Sequence, residues 1–232
     1  MQADRQMALT ADLVASLAQV MVDAGPIPGT AEMNDDDYAS LIENVLAQVP
    51  STGLWLFAYG SLLWNPACET VESCPAIVHG WHRSFCFWVK RGRGTLDRPG
   101  LMMALDRGGQ CHGMVLRIHP GELRESLAKL LRREIMTKPW INLPRWLPAR
   151  TPEGPVKALG FVVNREESRY AGRLELDHVA DILSVAVGHR GSGAEYLRNT
   201  VSHLEQVGIQ DRNLWRLQNL VAERIRAGHR SS

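Results

Sequence analysis

The sequence predicts an α+β protein in which a run of strands makes a small barrel or curved sheet and helices pack against it. Three observations carry that expectation. Between Leu54 and Ile118 the aliphatic and aromatic residues fall in short strand-like runs. From Leu176 onward they recur at helical spacing, and Gly- or Pro-bearing breaks separate the two kinds of segment. The chain has 232 residues, enough to bury a substantial core and to carry an extension beside it.

Taken in order, Leu9, Leu13, Leu17 and Val20 predict a first helix that ends at "DAGPIPG", Asp23–Gly29. "MNDDDYASLIENVLAQVP" predicts a second, with acids at its positive N-terminal end and Pro50 after its close. Residues 1–50 therefore read as an N-terminal helical extension, either packed beside the main domain of residues 51–232 or serving as a partner-binding arm. Strands are expected at Leu54–Tyr59, Ile77–Lys90 and Leu101–Leu105, with "DRGGQ" (Asp106–Gln110) as a hairpin loop into "CHGMVLRI". A helix follows over Gly121–Ile135. The passage "TKPWINLPRWLPARTPEGP" reads as irregular because of its prolines. Val156–Asn164 reads as a buried strand. Leu176–Val187, Gly193–Val207 and Asp211–Ala227 read as helices, with "GHRGSG" as the break between the first two.

Charge and cysteine usage narrow the class. A net charge of +1 leaves no electrostatic footprint for nucleic acid or an anionic membrane. No apolar run approaches the roughly 18 residues of a membrane span. Cys68, Cys74, Cys86 and Cys111 form neither a CxxC pair nor a disulfide scaffold, so a reducing, cytoplasmic setting is the simplest reading. His79 and His82 lie three apart on an expected strand and face opposite sides, so no metal site is expected there.

Two places raise a question of chemistry. "LWLFAYGSLLWNP" (Leu54–Pro66) is an apolar strand that breaks at Tyr59-Gly60-Ser61 and turns apolar again at once. It is either a tight core turn or a bare backbone that holds something. In "GELRESLAKLLRREI" the residues Leu123, Leu127, Leu130 and Leu131 make a helical stripe, and Glu134 falls in its middle. A carboxylate facing the core, close to the negative end of a helix, is pushed toward the protonated form and into the working range of a general base or acid. The other outcomes for Glu134 are a buried ion pair with Arg83 or Arg93, or a frayed helix end. "RGRGTLDRPG" (Arg91–Gly100) reads as a connection between strands or as a loop that binds a carboxylate or phosphate through residues such as Arg93. Ser61 lacks the GxSxG setting of a nucleophile.

With these pieces in place, "LFAYGSLLW", "GWHRSFC", "GRGT..RPG", "GGQCHGMVLRI" and "LLRREI", in this order, resemble the ChaC-type γ-glutamylcyclotransferases, most closely their bacterial branch. "GSGAEYL" and "DRNLWRLQNLV" resemble the C-terminal part of the same family, so the resemblance runs from about Leu54 to Ile225. It implies a γ-glutamylcyclotransferase-like fold with a barrel-like sheet flanked by helices. It also implies a lyase that cleaves the small molecule glutathione to 5-oxoproline and Cys-Gly with no metal or organic cofactor. The backbone turn Tyr59, Gly60, Ser61, Leu62 is then the cradle of the γ-glutamyl group, and Glu134 is the catalytic glutamate. Where family members commonly carry Tyr, a few residues after that glutamate, this chain has Trp140; the hydroxyl is then either missing or supplied elsewhere, as by Tyr196. Gly193 stands where the family often has Asn. Together with Arg93, these expectations make Trp140 and Tyr196 substrate-binding residues, in a protein expected to be a monomer. Two other readings stay open: a cyclotransferase acting on another γ-glutamyl peptide or amine, and a non-catalytic γ-glutamyl-binding protein linked to cation transport.

Overall fold

The strand β2 (Trp55–Ala58) has to bury both of its faces. In the computed structural model, which describes residues 6–230, Trp55–Ala58 is buried on both faces, with Leu56, Phe57 and Ala58 at 0% exposure. A strand alternates its side chains, so two faces must be covered. Leu54, Leu56 and Ala58 join an apolar cluster with residues of the neighbouring helices. On the opposite parity, the rings of Phe57 and Tyr59 stack with centroids 6.2 Å apart.

The elements run α1 (Ala11–Ala15), β1 (Ala31–Glu32), α2 (Asp35–Leu46), β2 (Trp55–Ala58), a 3-10 turn (Ser61–Leu63), β3 (Thr70–Val89) and β4 (Gly100–Ile118). A second 3-10 turn (Pro120–Glu122) leads into α3 (Leu123–Glu134), then β5 (Thr137–Lys138), β6 (Asn142–Thr151) and β7 (Gly154–Val163). The chain continues with α4 (Leu176–Leu183), β8 (Val187–Gly188), β9 (Gly191–Ser192), α5 (Gly193–Gln206) and α6 (Arg212–Arg230). Two compact units result: one holds Pro26–Ser84 and Met103–Tyr170, the other the chain up to Gly25, Phe85–Met102 and the chain from Ala171.

In the first unit the strands form a closed barrel in the order β2-β4-β3-β6-β7. β2 lies antiparallel to β4, from Trp55↔Arg117 to Ala58↔Met114, and parallel to β7 at Trp55↔Ala158 and Leu56↔Leu159. Closing the sheet in this way leaves no free edge. Helices α2 and α3 cover one side: Tyr38, Leu41, Ile42 and Val45 meet Leu127, Leu130, Leu131 and Ile135 in the cluster that also holds Leu54 and Leu56. α2 starts on a reciprocal cap in which Asn34 and Asp37 each accept from the other's backbone N–H.

The second unit is mainly helical. α4, α5 and α6 bury Val179, Leu183, Leu197, Val201, Leu217 and Val221, and the Leu9 N–H donates to the buried Gln218 Oε1 at 2.9 Å. The expected break at "GHRGSG" holds the β8–β9 hairpin, with Gly191 at φ +99. The first fifty residues are shared out: α1 belongs to the helical unit, and β1 and α2 to the barrel unit.

The structure corrects three expectations. The proline-rich passage is not irregular: Asn142–Thr151 pairs with Gly154–Val163 over ten positions. Pro144, Pro148 and, opposite Arg150, Pro155 all fall at pairs of one parity. An unbroken antiparallel ladder accepts proline at its non-hydrogen-bonded pairs, where no N–H is asked for. Asp106–Gln110 is not a hairpin loop either, because β4 runs through it. Gly108 (φ +108) and Gly109 (φ +64) bend the strand there, and the Gly108 carbonyl pairs with His82 Nδ1 at 3.0 Å. The turn between β3 and β4 is instead the Arg- and Gly-rich connection after Val89. Finally, α1 stops at Ala15 and leaves Val20 exposed. The Ser16 hydroxyl donates to the Leu13 carbonyl at 2.7 Å, a local bond that competes with a further helical turn.

Candidate active site

β2 delivers the bare turn. Its last residue, Ala58, is buried, and the chain then passes through Tyr59 and Gly60 into the 3-10 turn Ser61–Leu63. The Tyr59 hydroxyl donates to the Phe161 carbonyl at 2.9 Å, which fixes the ring. The Tyr59 carbonyl accepts from Arg83 Nε at 2.7 Å, and Arg83 Nη2 also donates to the His112 carbonyl. The turn closes on itself through Leu63 N–H to the Gly60 carbonyl (2.9 Å) and Asn65 N–H to the Ser61 carbonyl (3.0 Å). The Leu62 side chain is turned into the core, at 4% exposure. The first N–H groups of such a turn, those of Ser61 and Leu62, have no acceptor within it.

Glu134 is the last residue of α3, whose Leu127, Leu130 and Leu131 are wholly buried. Its side chain is 16% exposed, so the stripe carries it to the protein interior as the spacing predicts, and it is not a frayed end. Burial pushes its carboxyl above the ordinary value, and the nearby Arg133 guanidinium opposes the shift. The Nε of Arg133 lies 3.3 Å from Glu134 Oε1. The two arginines expected from the sequence have other work: Arg83 secures the turn, and Arg93 donates to Glu195 (2.7 Å) and to the Ser192 carbonyl (2.8 Å).

Two residues at this place carry no signal in the sequence. Arg133 donates through Nη1 to the Asn65 carbonyl, directly after the 3-10 turn. Asn142 donates through Nδ2 to the main-chain carbonyl of Glu134 at 3.2 Å and so caps the end of α3. Its Oδ1 is buried without a partner among the described residues. Asn142 lies in the passage expected to be irregular, which is why periodicity could not point to it. Arg133 is one charge among several on α3, and helical spacing alone does not say which of them meets another segment.

Trp140 donates through Nε1 to Met33 Sδ at 3.2 Å, and its carbonyl accepts from Asn164. Its ring lines a shallow cleft of about 280 Å³ beside Asn34, Asp36 and Asp37; neither Glu134 nor residues 59–62 line that cleft. In the helical unit, the Arg93 guanidinium lies 5.5 Å from the centre of the Tyr196 ring, which meets Phe85 edge-on. Arg93 and Tyr196 are thus brought together. Gly193 opens α5 against Leu183, where a Cβ would come within 2.7 Å of the leucine side chain.

A family model described as ChaC-like protein matches residues 54–224. The chain is 34% identical, over 192 residues and 82% of each chain, to a protein of Escherichia coli (strain K12) named glutathione-specific gamma-glutamylcyclotransferase. To the glutathione-specific gamma-glutamylcyclotransferase 1 of Mus musculus it is 28% identical, over 68% of this chain and 72% of that one. A solved yeast gamma-glutamyl cyclotransferase specific to glutathione matches with a TM-score of 0.67 at 20% identity, over 74% of this chain and 96% of the other. That last likeness shows the fold.

Proposed function

The chain belongs to the ChaC-like protein family, and on that premise we propose that it is a γ-glutamylcyclotransferase that cleaves glutathione to 5-oxoproline and Cys-Gly. The observation that carries the reading is Glu134: a nearly buried carboxylate with a raised pKa, on a helix whose neighbour Arg133 is bonded to the chain just after the Tyr59–Leu62 turn.

The substrate supplies its own nucleophile. The α-amine of the γ-glutamyl group attacks the side-chain carbonyl carbon, a five-membered lactam forms, and the bond to the cysteine nitrogen breaks; no water is consumed. Attack within one molecule needs little beyond the correct rotamer, so holding the chain folded contributes much of the rate. The α-amine, with a pKa of about 8, is mostly protonated at neutral pH and must first lose a proton. Glu134 takes that proton and returns it to the departing Cys-Gly nitrogen, a double task suited to a carboxyl whose pKa lies above the usual range. The N–H groups of Ser61 and Leu62 are assigned to the substrate carboxylate or to the oxyanion on the attacked carbonyl.

In this reading residues 51–232 are the catalytic domain, residues 1–50 its extension, and the enzyme acts in the cytoplasm as a monomer. Trp140, Arg93 and Tyr196 are kept as substrate-binding assignments. Trp140 in place of a tyrosine bears on substrate preference, and another γ-glutamyl peptide or amine is the variant of this reading. Incubation of the purified protein with glutathione, followed by measurement of 5-oxoproline, tests the main reading; a panel of γ-glutamyl compounds separates the variant. No 5-oxoproline from the wild type with any of them overturns both.

A further inference from the structure

Arg133 has two contacts on two different segments. Its Nε faces the carboxylate of Glu134, the residue next to it on α3, at 3.3 Å, and its Nη1 donates to the carbonyl of Asn65. Asn65 is itself bound to the turn, because its N–H donates to the Ser61 carbonyl. One guanidinium therefore spans from the acid to the main chain of the turn through a single bonded relay. A planar fork with fixed donor directions can hold both ends at once, which a lysine ammonium on a flexible stem cannot. On the backbone side, Asn142 holds the carbonyl of Glu134.

We propose that Arg133 is a positioning residue of the reaction: it couples the Glu134 carboxylate to the Tyr59–Asn65 turn, so that base and substrate cradle keep one spacing. The proposal rests on the assignment of Glu134 as the base. Its second consequence is electrostatic, since a fixed cation beside a buried carboxylate favours the ionised form that accepts a proton.

Several of the surrounding charges are paired elsewhere. On α2, Asp35 is paired with Arg132 at 2.7 Å, Asp37 with Lys138 at 2.6 Å, and Glu43 with Arg124. The Tyr38 hydroxyl donates to the Ile135 carbonyl. On β6, Arg145 lies over the Trp81 ring, 5.8 Å from its centre. In the segment after the turn, burial pushes the Cys68 thiol up while Arg133 opposes the shift. A thiol in that state is neutral near pH 7 and adds no charge.

The test is the pH dependence of kcat/KM for glutathione in wild type, Arg133→Gln, Arg133→Lys and Glu134→Gln. In Arg133→Gln the acidic limb is expected to move up by about one pH unit, with kcat at pH 7 down about ten- to hundredfold and KM within about threefold. Arg133→Lys keeps the cation, so its limb stays near that of wild type while kcat remains below it. An unmoved limb in a folded Arg133→Gln protein, with Glu134→Gln inactive, overturns this inference and leaves the base assignment standing. Wild-type turnover in Glu134→Gln overturns both. If Arg133→Gln does not fold, Arg133→Lys decides: wild-type kcat there overturns the coupling.

Discussion

Asp106 on β4 and Glu134 at the end of α3 are both carboxylates of the barrel unit, and their surroundings have pushed them in opposite directions. For Asp106, at 4% exposure, burial alone would raise the pKa. Arg165 Nε at 2.6 Å, the Tyr170 hydroxyl at 2.9 Å and the Arg107 N–H at 2.8 Å outweigh it and hold the group below its ordinary value. For Glu134 burial wins, because a single cation at 3.3 Å opposes it. A buried carboxylate with its acceptor sites filled is a fastener. One left short of partners is free to exchange a proton with a ligand, which is what the proposed reaction asks of it.

The largest expected effect breaks the comparison at the catalytic end. Glu134→Gln keeps the shape and removes the proton acceptor, so 5-oxoproline formation should fall by about 10²–10⁴-fold in a protein that still folds and binds glutathione. Asp106→Asn should do the reverse. It is expected to lower stability by about 1–3 kcal/mol, as charged hydrogen bonds are lost and Arg165 is left without its acid, while turnover per folded molecule is retained. Denaturant unfolding together with the 5-oxoproline assay measures both. Because the folded pKa of Asp106 is depressed, its contribution is complete above the unfolded value near 3.8 and disappears as pH falls through the lower folded value. The gap between wild type and Asp106→Asn should therefore close in acid.

A smaller effect sharpens the account of Asp106: Tyr170→Phe removes one of its donors and should cost about 1 kcal/mol. The smallest effect has the opposite sign. The raised pKa of Glu134 means that its ionised form weakens the folded state, so Glu134→Gln should raise the midpoint of thermal unfolding at neutral pH. Wild type keeps its full stability below the unfolded value near 4.5 and loses some as pH rises from there through the folded value. The advantage of the glutamine variant should consequently appear across that window and vanish below it. Calorimetry at pH 4 and pH 8 reads the difference.

The two carboxylates were not equally legible. Glu134 announces itself because a 3.6-residue period places it among Leu127, Leu130 and Leu131, and the helix forms as that period requires. Asp106 sits in "DRGGQ", which has the composition of a turn, yet β4 continues through it because Gly108 and Gly109 let the strand bend without ending. β6 was hidden for a related reason. Proline argues against a strand only where a ladder needs its N–H, and the parity of Pro144 and Pro148 relative to β7 is a property of pairing rather than of composition.

By itself the sequence determined the α+β class, the bare turn at Tyr59–Leu62, the carboxylate on the apolar stripe and, through its ordered blocks, the ChaC-like family. All of these follow from residue spacing along one segment or from motifs in order. Only the tertiary structure decided which cation stands beside Glu134, that Asn142 caps its carbonyl, and that Arg133 joins α3 to Asn65. Only it showed that Asp106 is filled by Arg165 and Tyr170. Hydrogen bonds and pKa values depend on distances of a few ångströms between groups that lie tens of residues apart in the chain, and no periodicity within one segment encodes those distances.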